Sequence, residues 1–141
     1  IKTLRSQMAQ RYRNRLSQLE QLGLLSLSQI PPTCDSSHHL YYILLPDEET
    51  RDRLIVYLKE RRIRALFHYV PLHCSPMGEK LGYRKGDFPV TEQSSGRLLR
   101  LPFYPGLTEE EQEAVIHNIE SFFSVNRTRR LYPAGSLVGS A

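Results

Sequence analysis

Along residues 3–22, Leu4, Met8, Tyr12, Leu16 and Leu19 recur at spacings of three and four. That is one apolar stripe, and it predicts a helix. Arg5, Arg11, Arg13, Arg15 and Gln18 fall largely off the stripe, and Gly23 is placed to stop the helix. Residues 26–37, SLSQIPPTCDSS, hold two prolines and several serines and read as an irregular connection. HLYYILL, at 39–45, reads as a buried strand. Tyr41 and Tyr42 point to opposite faces of it, so at least one is expected in the core with its hydroxyl at an edge.

Asp47 is a candidate N-cap, and Glu48 and Glu49 suit the first turn of a helix reaching about Arg61, with Leu54, Ile55 and Leu58 facing inward. IRALFHY, at 63–69, alternates as a strand does: Ile63, Ala65, Phe67 and Tyr69 on one face, Arg64, Leu66 and His68 on the other. Residues 70–90, punctuated by Pro71, Pro76, Pro89, Gly78, Gly82 and Gly86, read as a long loop, a feature that is often functional. Thr91 can cap a short helix through about Arg97, and LLRLP, at 98–102, is a short strand. Thr108 and Glu111 form the S/T-x-x-E capping box of a last helix with Val115, Ile119, Phe122 and Phe123 buried. Beyond Phe123 the periodicity stops.

The expected fold is therefore α+β: a small antiparallel or mixed sheet with flanking helices. The strand–helix–strand unit at 39–69 can form a right-handed crossover. The expected divisions are a helix at 1–25, a small domain at 26–123 and a loose tail at 124–141.

A chain of 141 residues suits one domain. The net charge of +4 admits an anionic ligand or nucleic acid but decides little. No run of about 18 apolar residues is present, so no membrane helix is expected. The chain opens IKTLRSQ without methionine, so Ile1 is expected not to be a natural start. Two cysteines, Cys34 and Cys74, fit a reducing cytoplasm better than a disulfide scaffold.

The run FHYVPLHCSPMG, at 67–78, concentrates chemically capable side chains. A zinc site drawn from Cys34, His38, His39, His68, His73 and Cys74 lacks any C-x-x-C or H-x3–4-H pair, so no metal is expected. Cys74 beside His73 is a poor catalytic pair, because adjacent side chains usually point apart. The four lysines, Lys2, Lys59, Lys80 and Lys85, lie in charged or polar contexts that offer no desolvated Schiff-base amine. Arg64, His68 and His73 are candidates to meet a diphosphate where strand end and loop converge. RRIR at 61–64 and RTRR at 127–130 do not interleave with aromatics as RNA-binding patterns do.

Three ordered blocks carry a resemblance: HHLYYILL, LKERRIRALFHYVPLHCSPMGEKLG and SGRLLRLPFYPGLTEEEQEAVI. Over roughly residues 5–123 they resemble the C-terminal segment of the sugar-nucleotide aminotransferases of the DegT/StrS type. Those are pyridoxal-phosphate enzymes of the aspartate-aminotransferase fold. FHYVPLH looks most like the branch that aminates dTDP-4-oxo-6-deoxyglucose to dTDP-4-amino-4,6-dideoxygalactose, a surface-polysaccharide precursor. The resemblance implies that residues 3–22 are a linking helix and the rest a small domain bordering the sugar-nucleotide pocket. It also implies a larger N-terminal domain, absent here, that carries the catalytic lysine and holds the pyridoxal phosphate, so this chain alone would be inactive. The whole enzyme would use glutamate as amino donor and work as a homodimer.

By the same resemblance Tyr69 and His73 would contact the substrate, with His39, His68 and Arg64 as weaker candidates. One departure is Arg62, where the family usually has glycine. The competing expectation is a free-standing α+β module that binds RNA or another anionic ligand.

Overall fold

The computed structural model describes the backbone of residues 1–131 and the side chains of residues 1–125. The first apolar stripe forms helix α1, Lys2–Gln21. Met8, Ala9, Tyr12, Leu16 and Leu19 are its buried face, while Leu4, on the same stripe, stays half exposed near the helix start. Strand β1, Ser26–Leu27, lies inside the segment expected to be irregular. Strand β2 is Tyr42–Leu44, and helix α2 is Glu48–Glu60. Asp47 caps α2 as expected: its Oδ1 accepts the Thr50 N–H at 2.7 Å. Strand β3 is only Leu66–Phe67. Of its expected inner face Ala65 is buried, but Phe67 and Tyr69 leave the core.

The expected loop at 70–90 is mostly ordered into short turns. A single 3-10 turn spans Leu72–Cys74, helix α3 is Pro76–Lys80, and helix α4 is Pro89–Arg97. Pro89 occupies the first turn of α4, so Phe88 and not Thr91 precedes the helix. Proline fits there because that N–H has no partner inside the helix. Strand β4 is Leu98–Arg100 and helix α5 is Glu109–Leu131. The capping box forms in both directions: Thr108 N–H donates to Glu111 Oε2 at 2.9 Å, and Glu111 N–H donates to Thr108 Oγ1 at 3.1 Å. The helix continues to Leu131, past the Phe123 at which apolar spacing stops. The loose tail expected for the remainder, 132–141, lies outside the described residues.

The sheet order is β1-β2-β4-β3, and every adjacent pair is antiparallel. Strands β2 and β3 both run against β4, so they are parallel to each other with β4 between them. The strand–helix–strand unit is thus a crossover that leaves a gap, and β4 fills it. Tyr41, Ile43 and Leu45 alternate with Tyr42 and Leu44, and Leu99 and Leu101 alternate with Leu98 and Arg100. The first set in each case joins the core with the buried faces of α1, α2 and α5. Tyr41 is the core tyrosine, but its hydroxyl is buried without a hydrogen bond rather than at an edge, and burial pushes its pKa up to about 12.

Helix α1 is part of this core. The Tyr12 ring stacks on Tyr41 at 4.9 Å between centroids, and its hydroxyl donates to Pro102 O at 2.9 Å. Gln112, fully buried on α5, donates to Met8 O at 2.8 Å and accepts from Arg11 Nη1 at 2.9 Å. The off-stripe arginines of α1 meet the acids of α5, in the pairs Arg11–Glu109 and Arg15–Glu113.

Two outcomes follow for stability. Tyr12→Phe should cost about 1 kcal/mol by orphaning the Pro102 carbonyl, and Tyr12→Ala about 3–5 kcal/mol by opening a cavity. Arg62 has φ +61°, in the left-handed region just past the end of α2. Arg62→Gly should therefore raise stability by roughly 0.5–1 kcal/mol, relieving the Cβ clash at some cost in unfolded-state entropy. Urea unfolding of each variant against the parent measures both.

Candidate functional site

At the end of β3 the chain turns through Tyr69, Val70 and Pro71 into the Leu72–Cys74 turn. Ser75 then starts α3: its Oγ accepts the Gly78 N–H at 3.1 Å and donates to Leu72 O at 2.6 Å. A Cβ on Gly78 would sit 2.4 Å from Leu72 O and 2.6 Å from His73 O. Only glycine lets α3 press this closely on the preceding turn.

His73 is buried in this turn and is held from the far side of the loop. Its Nε2 lies 2.8 Å from Glu92 Oε1, on α4, and its ring packs on Phe88 at 4.8 Å. A carboxylate only accepts, so Nε2 carries the proton. The same Glu92 oxygen accepts the Gly86 N–H at 2.7 Å. The His73 bond first, then the Gly86 N–H, hold the Glu92 carboxyl below its ordinary pKa of 4.5. Glu92 therefore joins three otherwise separate parts of the loop.

Tyr69 stands on the other side of that brace, 64% exposed, at the rim of a cavity of about 410 Å³. The cavity is walled by the first turns of α2, by Phe67 and by α4. Arg51 forms its floor. This buried guanidinium donates to Glu48 Oε1 at 2.9 Å, Asp52 Oδ1 at 2.7 Å and Ser95 O at 3.3 Å, and lies 5.4 Å from the Phe67 ring centroid. The Ser95 hydroxyl donates to Tyr69 O and so fixes the backbone that presents the tyrosine. The arrangement offers a phenol, the Lys85 ammonium and partly used carboxylates to a polar ligand, with a rigid floor.

The five residues expected at the site do not all converge. Tyr69 and His73 come together, joined through α4, with Tyr69 turned to the cavity and His73 behind it. His68, just past β3, sets its ring edge-on against the Tyr69 ring at 3.7 Å between centroids, with Arg100 and the exposed His39 nearby; burial first, then Arg100 and His39, hold its pKa below the ordinary value. Arg64 lines a separate cavity at the other end of the strand. The convergence expected of Arg64, His68 and His73 therefore fails: Arg64 lines another cavity, His68 lies against the Tyr69 ring, and His73 is turned into its bond with Glu92.

Arg51, Ser95 and Glu92 were not singled out. Arg51 had a signal, since it precedes Leu54 and Leu58 by three and seven positions and shares their buried face. Glu92 had none, because its partner is 19 positions away.

His73, Cys74 and Glu92 also place one possible metal ligand atom each within 4.8 Å. The His73–Glu92 hydrogen bond accounts for that closeness. Burial first, then Glu92, raises the Cys74 pKa and favours the thiol over the thiolate a metal needs.

A family model described as the DegT/DnrJ/EryC1/StrS aminotransferase family matches residues 1–120. The chain belongs to this family. It is 33% identical over 118 residues to the erythromycin biosynthesis sensory transduction protein EryC1 of Saccharopolyspora erythraea, covering 83% of this chain and 31% of that protein. It is 31% identical over 117 residues to the dTDP-3-amino-3,4,6-trideoxy-alpha-D-glucose transaminase of Micromonospora megalomicea subsp. nigra, covering 82% of this chain and 30% of that protein. Among solved structures, S. venezuelae DesV in complex with a ketimine intermediate superposes with a TM-score of 0.75 at 30% identity, covering 86% of this chain and 31% of that one. The chain spans about a quarter to a third of the length of the curated relatives it matches.

The Glu92 brace makes an acid-side prediction. A carboxyl whose pKa is lowered by folding contributes stability that is complete above its unfolded pKa and is lost as pH falls through the folded value. Glu92 should thus contribute fully above about pH 4.5 and progressively less below it. In Glu92→Gln the fall of Tm between pH 5 and pH 3, followed by circular dichroism, should be shallower than in the parent. Equal slopes would show that the pair carries no such linkage.

Proposed function

We propose that this chain forms the small-domain wall of a pyridoxal-phosphate-dependent aminotransferase that acts on sugar nucleotides. The substrate we propose is a 4-keto-6-deoxy sugar nucleotide, dTDP-4-oxo-6-deoxyglucose, with glutamate as amino donor, in surface-polysaccharide synthesis. The observation that carries the reading is the family match over residues 1–120, within which Tyr69 is presented on a braced turn beside a polar cavity. The Micromonospora relative, a dTDP-amino-sugar transaminase by name, supports the substrate class. The family match does not favour a free-standing RNA-binding module.

The cofactor would not be held here. All four lysines are exposed, and Lys2 is paired with Asp35. None is the desolvated amine that Schiff-base chemistry requires. Pyridoxal phosphate supplies the electron sink for amino transfer when bound, and we assign its binding to the part of the protein outside this chain. The work left to these residues is to bind and orient the sugar. Tyr69 is the favoured contact among the five candidates, through its hydroxyl. His73 acts through Glu92 as a positioning residue. His39, His68 and Arg64 are secondary contacts at most in this geometry.

The exposed apolar side chains of the same arc, Val70, Leu72, Met77, Leu81 and Val90, fit a surface covered in the whole protein by its larger domain and by a second subunit.

The test uses the full-length protein that carries this segment. With pyridoxal phosphate, glutamate and dTDP-4-oxo-6-deoxyglucose, mass spectrometry should detect the 4-amino sugar nucleotide. Failure to aminate any keto-sugar nucleotide would overturn the reading. Tyr69→Phe should raise KM for the sugar nucleotide about tenfold and leave kcat within about twofold. Unchanged KM would remove Tyr69 from the pocket.

A further inference from the structure

Most of the described arginines are engaged by the fold. Arg11, Arg13, Arg15, Arg51, Arg61 and Arg97 each donate to a carboxylate, an amide oxygen or a main-chain carbonyl. Arg62, Arg64 and Arg100 have no such partner among the described residues. These three border one cavity of about 640 Å³, where β3 and β4 part before the loop that leads to α5. Against three guanidiniums the lining holds one acid, Glu111, whose Oε2 accepts the Thr108 N–H of the capping box. Like charges gathered around a concavity repel one another, and an anion relieves that repulsion. His68, close by, senses the same field, with Arg100 among the causes that lower its pKa.

The rest of the lining is of a different kind. Phe103 and Tyr104, with Leu107, offer flat aromatic and apolar surface. A guanidinium fork suits phosphate oxygens, and it also stacks on a planar ring. Arg62, moreover, keeps a left-handed backbone that glycine would occupy without a clash, which is the kind of local cost retained where the side chain has a use.

We propose that Arg62, Arg64 and Arg100 form a binding site for a nucleoside phosphate: the phosphates on the guanidiniums and the base on Phe103 and Tyr104. The site occupies a different cavity from the one that Tyr69 borders. It is independent of the aminotransferase reading and would bind its ligand whether or not that reading holds.

The experiment uses the intact protein carrying this segment, with ADP as probe and 8-azido-ADP for photolabelling. Labelling should fall on the peptide spanning residues 101–107, and ADP affinity should drop as salt rises. Inorganic pyrophosphate should compete at least about tenfold less well than ADP, because it lacks the ring. The double variant Arg64→Gln/Arg100→Gln should lose at least about tenfold in affinity and in labelling of that peptide. Arg62→Gly should weaken ADP binding with thermal stability equal to or above the parent's, which separates lost binding from lost folding. No label in that peptide, unchanged affinity in the double variant, or pyrophosphate competing as well as ADP would each overturn the proposal.

Discussion

Everything that positions the candidate site rests on the insertion of Leu98–Arg100 between two strands that arrive before it. Leu99 pairs with Ile43 on one side and Phe67 on the other, and Arg100 pairs with Tyr42 and Leu66. Without this strand, β3 would have no hydrogen-bonded neighbour in the sheet. The residues just before it extend the clasp. The Leu45 N–H donates to Arg97 O at 2.9 Å, Arg97 Nε donates back to Leu45 O at 2.7 Å, and Ser95 holds Tyr69 O. A segment of a few residues therefore fixes the ends of β2 and β3 at once. Those ends carry the first turn of α2 and the turn containing Tyr69, which are the two sides of the smaller cavity.

This dependence explains which features the amino-acid pattern makes visible. Periodicity and capping are local, and they identify α1, α2 and α5, the Asp47 cap and the Thr108–Glu111 box. The apolar stripes also name most of the core, including Tyr12, Leu54, Leu58 and Val115. Strand partners are not local. No pattern within 39–69 says that its two strands stand one place apart, because the filler is some thirty residues further on. The two-residue ladder of β1 is too short for any alternation to be seen. Within 70–90 the glycines and prolines mark turns correctly, yet they build a 3-10 turn and two helices rather than an open loop.

Charge follows the same division between near and far. Arg11 and Arg15, which look merely solvated along α1, find Glu109 and Glu113 on α5, about a hundred positions later. Three arginines without such partners among the described residues, Arg62, Arg64 and Arg100, share a cavity where β3 begins and β4 ends.

The turn holding Tyr69 shows how a short segment can be stiff on one side and bare on the other. Its rear is fixed by the Ser95 hydroxyl, the His73–Glu92 bond, the Ser75 cap and the close approach at Gly78. Its front exposes Tyr69 and Val70, with Leu72 86% exposed just beyond. A loop with neither brace nor cover would sample many conformations, and ordering it on contact with a ligand would cost entropy at that moment. Here that ordering is completed during folding, by hydrogen bonds to α4 and α3 that use no atom of the Tyr69 side chain. The phenol remains free to bond outward while its backbone is already held, which is the condition for a contact residue to add affinity without paying for its own placement.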